Sequence, residues 1–220
     1  MQTIQEAVGQ ILKSRPYLEE SLQDKLINLT ALANQMIPEV EKRLSKQVKT
    51  GALVMAIKRH QSGKLPMINI KATNLLKNLS NIIVRSNVSV LTYENSTSLP
   101  VNIAELSVDF SKRKGLFYTF SQGVFETTII INNSAEPELK KKLEDENLLS
   151  SSFQLACITL YLPDENTEIP GYYYIILKKI AWEGINIVEV LSTTNEFSII
   201  LEDKDVDRAF SILKSGTLNK

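Results

Sequence analysis

The stretch LACITLYLPDENTEIPGYYYIILKKIAWEGINIVEVLSTTNEFSIILEDKDVDRAFSIL, residues 155–213, switches twice between the hydrophobic period of a strand and that of a helix. Leu155–Leu162 is a short apolar run of strand length, and the polar segment Pro163–Pro170 ends it. Gly171–Trp182 then carries Tyr173, Ile176, Leu177 and Ile180 at helical spacing, and Glu183-Gly184 stops the helix. Ile185–Leu191 and Phe197–Leu201 read as two further strands, and Asp205–Leu213 as a last helix closed by Gly216. The order β-α-β-β-α predicts a split βαβ sheet with its helices on one face. The apolar face comes from Ile185, Ile187, Val190, Phe197, Ile199 and Leu201. Cys157 and Trp182 read as core residues.

Upstream, residues 81–150 repeat this layout more faintly. Asn81–Tyr93 alternates Val88, Val90 and Thr92 against Asn87, Ser89 and Leu91, as a strand does. Gly115–Ser121 and Phe125–Asn132 flank Gln122-Gly123 as a hairpin, and Pro137–Asp145 reads as a charged amphipathic helix. Pro100–Lys114 is a helix or an irregular crossover. The N-terminal third is helical throughout. Thr3 caps Ile4–Lys13, Pro16 opens a short helix over Tyr17–Ile27, Asn28 caps a third with Leu32, Met36, Val40 and Leu44 on its apolar stripe, and Thr50 caps Gly51–His60. Pro38 lies inside the third stripe and predicts a kink or break near Ile37. The predicted organisation is α+β: a helical domain over 1–79, then two βαββα units over 80–150 and 151–220.

Composition removes most catalytic chemistries. His60 and Cys157 are the one histidine and the one cysteine of the chain, too few for a Cys/His zinc cluster or an internal disulfide. No G-x-S-x-G accompanies His60, and the eight glycines are too scattered for a dinucleotide or phosphate loop. Enzymatic activity and a bound cofactor are therefore not expected. No apolar run is long enough for a bilayer span, and Met1–Arg15 lacks the layout of a secretory signal, so a cytoplasmic protein without membrane attachment is expected.

The formal net charge of zero hides an internal dipole: 12 Lys/Arg against 6 Asp/Glu over 1–79, and 13 against 19 over 80–220. No acidic residue falls between Glu41 and Glu94, an interval that holds ten basic ones. A field of one sign attracts polyanions, nucleic acid being the commonest, and it equally describes a solvated helical face complementing the protein's own acidic half. The helix order resembles a winged helix-turn-helix domain over about residues 3–75. Asn28–Ala33 matches the support helix, and Val48–Arg59 matches the turn and recognition helix. That resemblance implies DNA contacts from Lys46, Lys49, Lys58 and Arg59, a phosphate at Thr50, and Lys64 on the wing. Bundles of this shape also serve as packing or dimerisation modules.

The C-terminal segment resembles an ACT domain of the kind found in the regulatory region of aspartate kinases. The matching pieces are the strand and loop leading to Pro170-Gly171, the step Glu183-Gly184-Ile185-Asn186-Ile187, then Glu196–Asp203 and Val206–Phe210. The fainter repeat upstream implies a tandem pair of ferredoxin-like, ACT-type units. Neither half shows every strand, which implies that the two lend strands to each other or pair across a homodimer. The resemblance further implies an amino-acid effector held by Asp164, Asn166, Pro170, Gly171 and Tyr172, with Asn186 and Ile187 on the neighbouring strand. Two features depart from the family pattern: the long acidic loop 163–170, and Tyr172-Tyr173-Tyr174 in place of small residues. Only helices precede the sheet, where an aspartate kinase carries its catalytic domain. The expected function is a non-catalytic regulator that joins an amino-acid-binding or dimerising sheet module to a basic helical module contacting DNA. The alternative is a regulatory or assembly subunit that binds a protein partner and no nucleic acid.

Overall fold

The computed structural model describes residues 2–23, 25–61 and 81–218. The chain divides into two compact units, Met1–Ile70 and Lys71–Lys220.

Among its described residues the first unit packs four helices, α1 (Ile4–Lys13), α2 (Pro16–Gln23), α3 (Leu29–Leu44) and α4 (Thr50–Gln61). Thr3 and Glu6 form a reciprocal capping box, so the first turn of α1 loses no amide to burial. Ala7, Val8, Ile11 and Leu12 then pack against Met36 and Val40 of α3 and Leu53 and Ile57 of α4. The Asn28 side chain accepts from the amides of Thr30 and Ala31 and starts α3. Against expectation, α3 runs through Pro38 without a break. Buried Met36 and Val40 hold both sides of the proline, and Arg15 and Arg43 converge on Glu39 at 2.8 Å each. The second helix is shorter than predicted. Lys25 enters the left-handed region at φ 57°, and Leu26 is 77% exposed rather than on the apolar side. Thr50 is the first residue of α4 instead of its cap; its hydroxyl donates to Asn34 Oδ1 at 3.0 Å.

The second unit carries β1 (Ile82–Glu94), α5 (Leu99–Ser111), β2 (Tyr118–Gln122), β3 (Glu126–Asn132), α6 (Glu136–Lys142), β4 (Leu148–Tyr161), α7 (Tyr172–Trp182), β5 (Glu189–Ser192), β6 (Glu196–Glu202) and α8 (Val206–Leu218). Strand, helix, strand, strand, helix thus occurs twice. The crossover left open at Pro100–Lys114 is the helix α5. All strands join one antiparallel sheet of order β2-β3-β1-β4-β6-β5. Its centre is the pairing of the two long strands, from Ile82 opposite Leu160 to Tyr93 opposite Leu148.

Each long strand serves both halves. Val88–Glu94 of β1 pairs with β3, while Ile82–Arg85 runs beside the part of β4 that pairs with β6. In return, the first residues of β4, Leu148–Ser152, lie beside Val90–Tyr93. Four strands are therefore present in each half only because each receives a half-strand from the other. The switch points are marked in the backbone: Asn87 and Gln154 have φ 58° and 54°, and the β1–β4 register shifts there.

Helices cover one sheet face. Leu91, Tyr93, Ile129 and Ile131 pack under Leu99, Ile103, Leu106, Phe110 and Leu139. Ile158, Leu160, Phe197, Ile199 and Leu201 pack under Tyr172, Ile176, Ile180, Ala209 and Leu213. By strand alternation the opposite face carries a third cluster, Val88, Val90, Ile130, Leu155, Cys157 and Ile200, continuous across both halves. Cys157 is buried as predicted. Trp182 is not: it is 82% exposed, because the inward positions of α7 are 172, 176 and 180, and a residue two further on points away. The same spacing turns Tyr172 inward in place of Tyr173. The strand predicted over Ile185–Leu191 begins only at Glu189. Register places Glu189 opposite Ile200, so Ile185 and Asn186 fall past Glu202, the end of β6, while Val188 still donates its amide to the carbonyl of Ile200 at 2.8 Å.

Because left-handed backbone costs a side-chain-bearing residue roughly 1–2 kcal/mol, the switch at the exposed Gln154 makes a prediction. Gln154→Val should lower the unfolding free energy in urea by about 1–2 kcal/mol, since a branched Cβ is least tolerated there, while Gln154→Gly should stay within about 0.5–1 kcal/mol of the parent. Equal effects of the two variants would contradict the switch.

Candidate functional site

The loop between β4 and α7 is built around two turns. Pro163 ends the strand direction, and Asp164–Glu168 forms a short 3-10 turn. Gly171 then adopts φ 85° immediately before α7. That left-handed position is open to glycine without strain and directs the first turn of α7 toward the loop.

Asn166 anchors the loop. Its Nδ2 donates to the carbonyls of Pro163 and Thr194, both at 2.8 Å, the second reaching the turn between β5 and β6. Asn195 of that turn donates to Leu162 O at 3.2 Å and to Asp164 Oδ1 at 2.7 Å. Thr194 and Asn195 thus belong to the site, although their sequence signals only a turn. The other side of Asn166 is unsatisfied: the residue is 5% exposed, and its Oδ1 has no hydrogen-bond partner. Tyr172, first residue of α7 and 2% exposed, likewise buries a hydroxyl with no partner. Burial alone pushes that phenol up to about 12. Buried polar atoms are almost always paired, so the unpartnered Asn166 Oδ1 in the loop and Tyr172 hydroxyl at the first position of α7 are exceptions. The peptide amides opening α7 add a partial positive charge suited to a carboxylate.

Of the residues singled out by sequence, Asp164, Asn166, Pro170, Gly171 and Tyr172 come together here. Asn186 and Ile187 do not join them. They follow the far end of α7, an 11-residue helix roughly 16 Å long. Asn186 is exposed there, and Ile187 packs on the core.

The equivalent helix start in the first half is already occupied by the protein itself. Ser96 Oγ donates to Glu146 Oε2 at 2.6 Å and Asn102 Nδ2 to Glu146 Oε1 at 3.0 Å, while the amide of Leu99 bonds Ser96 Oγ. The hydrogen bond from Ser96, helped by Ser98 and Asn102, holds the Glu146 carboxyl below the usual range despite some burial. Glu146 lies between α6 and β4, far from Ser96 in sequence, and nothing in the local pattern announces it.

In the helical unit, Lys46 and Lys49 are exposed before α4. Lys58 and Arg59 share an exposed face of α4 with Gly51, Ala52 and Met55. Thr50 is half-buried with its hydroxyl on Asn34. Lys64 lies outside the described residues. His60 is used structurally, its Nε2 lying 2.8 Å from Glu19 Oε1 and linking α4 to α2. Among the described residues no helix is long and apolar enough to cross a membrane.

No family model and no curated protein matches the sequence. Solved structures do match. The regulatory subunit of aspartate kinase from Thermus thermophilus aligns with a TM-score of 0.51 at 10% identity, over 63% of this chain and 97% of that one. Aspartate kinase from Clostridium acetobutylicum, described as an allosteric enzyme, gives 0.51 at 13% identity over 63% of this chain. This chain spans only 35% of that kinase. Escherichia coli aspartokinase III, in complex with lysine and aspartate in its T-state, gives 0.50 at 10% identity, over 79% of this chain and 43% of that one. At such identities the likeness is one of fold, and it bears out the resemblance read from the Gly-Ile-Asn-Ile step and its flanking strands. The chain has the α+β fold of aspartate kinase regulatory regions.

Proposed function

We propose that this protein is a regulatory module whose sheet unit consists of two ACT-type halves in tandem, and that the second half binds a free amino acid at the start of α7. The observation that carries the proposal is the pair of buried, unpartnered atoms Asn166 Oδ1 and Tyr172 OH beside the opening of that helix. An amino acid supplies the missing complements: its ammonium donates to Asn166 Oδ1, and its carboxylate accepts from the Tyr172 hydroxyl and the amides of α7. The first half offers no such vacancy, since Glu146 already satisfies its helix start, so one effector per chain is expected. Complexes of E. coli aspartokinase III with lysine and aspartate make these two amino acids the first to test. Dimerisation through the sheet unit belongs to the same proposal, as does a cytoplasmic site of action.

For the helical unit we favour nucleic-acid contact, supported by the exposed face of α4 that groups Lys58 and Arg59, with Lys46 and Lys49 before it. The exposed Met55 on the same face supports the rival, a protein partner. Salt decides between them. DNA affinity through that face should fall linearly in log–log terms by about 0.9 per phosphate contact as salt rises, and Lys58→Glu with Arg59→Glu should abolish it. Absent or salt-independent binding favours the protein partner.

The effector site is tested by thermal denaturation of the full chain with lysine, aspartate and the other common amino acids. A ligand at about 100 times its Kd should add roughly 2.7 kcal/mol and raise the melting temperature. Asn166→Ala and Tyr172→Phe should abolish or sharply reduce that response; if no amino acid stabilises the parent protein, the proposal fails. Tyr172 also carries a pH signature. Its folded pKa of about 12 lies above the ordinary phenol value of 10, so the folded state keeps the proton longer than the unfolded chain. Stability is fully present below pH 10 and falls as pH rises from 10 toward 12. Tyr172→Phe should remove this component, so that urea unfolding at pH 9 and pH 11 differs less in the variant than in the parent.

A further inference from the structure

A depression of about 500 Å³ opens in the first half of the sheet unit, where the connection from α5 to β2 meets the end of β3. Arg113, Lys114, Gly115, Asn132, Ser134 and Ala135 contribute to its wall. The chemistry of this wall has one sign. It holds two cationic side chains and no carboxylate. Arg113 is fixed in place, its Nη2 2.6 Å from Glu138 and its guanidinium 5.2 Å from the centre of the Phe110 ring, and that ion pair uses one of its nitrogens, leaving N–H groups on the others. Lys114 is exposed and pairs with no carboxylate among the described residues. The Oδ1 of Asn132 accepts from the amide of Phe117 at 2.7 Å, which leaves its Nδ2 as a donor, and Ser134 adds an exposed hydroxyl. Gly115, at φ 81° and with open space around its Cα, lets the loop turn without a side chain filling the depression.

The second half provides an internal control. The corresponding connection there is Glu183-Gly184, with Gly184 at φ 68° matching Gly115. The 3-10 turn after β6, Asp203–Asp205, matches Asn133–Ala135 after β3. At that end the chain closes on itself: Arg208 donates to the carbonyl of Glu183 at 2.5 Å and to Asp205 Oδ1 at 3.2 Å, and Lys204 pairs with Glu202. Two copies of one local geometry therefore differ in chemistry, one lined by acidic residues that its own cations pair with, the other lined by two cations of which Arg113 is paired with Glu138 and Lys114 is exposed.

We propose that the depression formed by Arg113, Lys114, Asn132 and Ser134 is a binding site for the phosphoryl group of a small metabolite. Lys114, the remaining N–H groups of Arg113 and the neutral donors beside them match the several acceptor oxygens of a phosphate monoester, which accepts from more donors at once than the two oxygens of a carboxylate. The volume exceeds that of inorganic phosphate and accommodates the organic part of a small ester. The site lies at the end of the first half remote from the α5 start that Glu146 occupies, and it does not depend on the amino-acid site at α7.

The test is a titration of the 15N-labelled full chain with inorganic phosphate, followed by amide NMR, with acetate and with chloride at matched ionic strength as parallel arms. Saturable shifts at Gly115 and Ser134 with phosphate are expected, with acetate at least about tenfold weaker. Lys114→Glu should weaken phosphate by about tenfold or more, Arg113→Gln should weaken it independently, and Lys141→Glu, an exposed lysine outside the depression, should leave it unchanged. Shifts that do not saturate, that acetate or chloride reproduces, or that survive both substitutions overturn the proposal. Because amino-acid stabilisation is read at another place, either site can fail without the other.

Discussion

The sheet unit depends on one contact, the antiparallel pairing of β1 with β4. Two strands of 13 and 14 residues lie side by side, β3 and β6 attach to them, and β2 and β5 attach in turn to β3 and β6. Take this ribbon away and each half keeps only three strands of its own, with Leu91 and Tyr93 on one side and Ile158 and Leu160 on the other losing the neighbour that completes the sheet. A three-stranded sheet carrying helices on one face has an unpaired central edge, which is a liability in water. Sharing half-strands removes both inner edges at once. It also joins the halves through the cluster of Val88, Val90 and Ile130 with Leu155, Cys157 and Ile200, a shared core on the face opposite the cluster that each half packs under its own helices.

Sharing demands that one strand change role midway, and the backbone shows how. At Asn87 and Gln154 the chain takes a left-handed residue, the register shifts, and the alternation of inward and outward side chains resumes on the far side. Asparagine tolerates that conformation better than most residues; glutamine does not, and its exposed position keeps the cost to backbone strain alone. The bulges let Ile82 pack with the core of the second half while Leu91 and Tyr93 serve the first.

Much of this was legible in the chain. Strict alternation from Val88 to Thr92, the helix stop at Glu183-Gly184 and the paired turns at Gln122-Gly123 and Thr193–Asn195 are local signals, and local signals set the element order correctly. What was not legible is non-local or depends on phase. Ile185–Val188 has strand-forming side chains, yet Ile185 and Asn186 fall beyond Glu202, where β6 ends, and only Val188 reaches it, through Ile200. Trp182 has the residue type of a core and the wrong angular position on its helix. Pro38 carries a strong breaking signal that packing at Met36 and Val40 overrides. The helix-start site was located by resemblance only at Asp164–Tyr172. Its partners Thr194 and Asn195, and its filled counterpart at Ser96, Asn102 and Glu146, become visible once distant segments are brought together.

The geometry also says where ligand binding at α7 would be felt. The loop that carries Asn166 begins one residue after Tyr161, whose amide donates to the carbonyl of Asn81 at 3.0 Å. Asn81 is the first described residue after the helical unit and leads directly into β1. An effector that tightens the loop therefore acts on the same hydrogen-bonded row that starts the central ribbon, with no intervening side chain. Any change it causes is bounded by its preference for one arrangement over another, and an effector that binds both arrangements equally transmits nothing however tightly it is held. On the proposed binding mode Asn166 and Tyr172 would supply that preference, since each would gain a hydrogen bond in the arrangement that encloses the ligand. On the same reading the first half offers no such difference, since Glu146 is already bonded to Ser96 and Asn102.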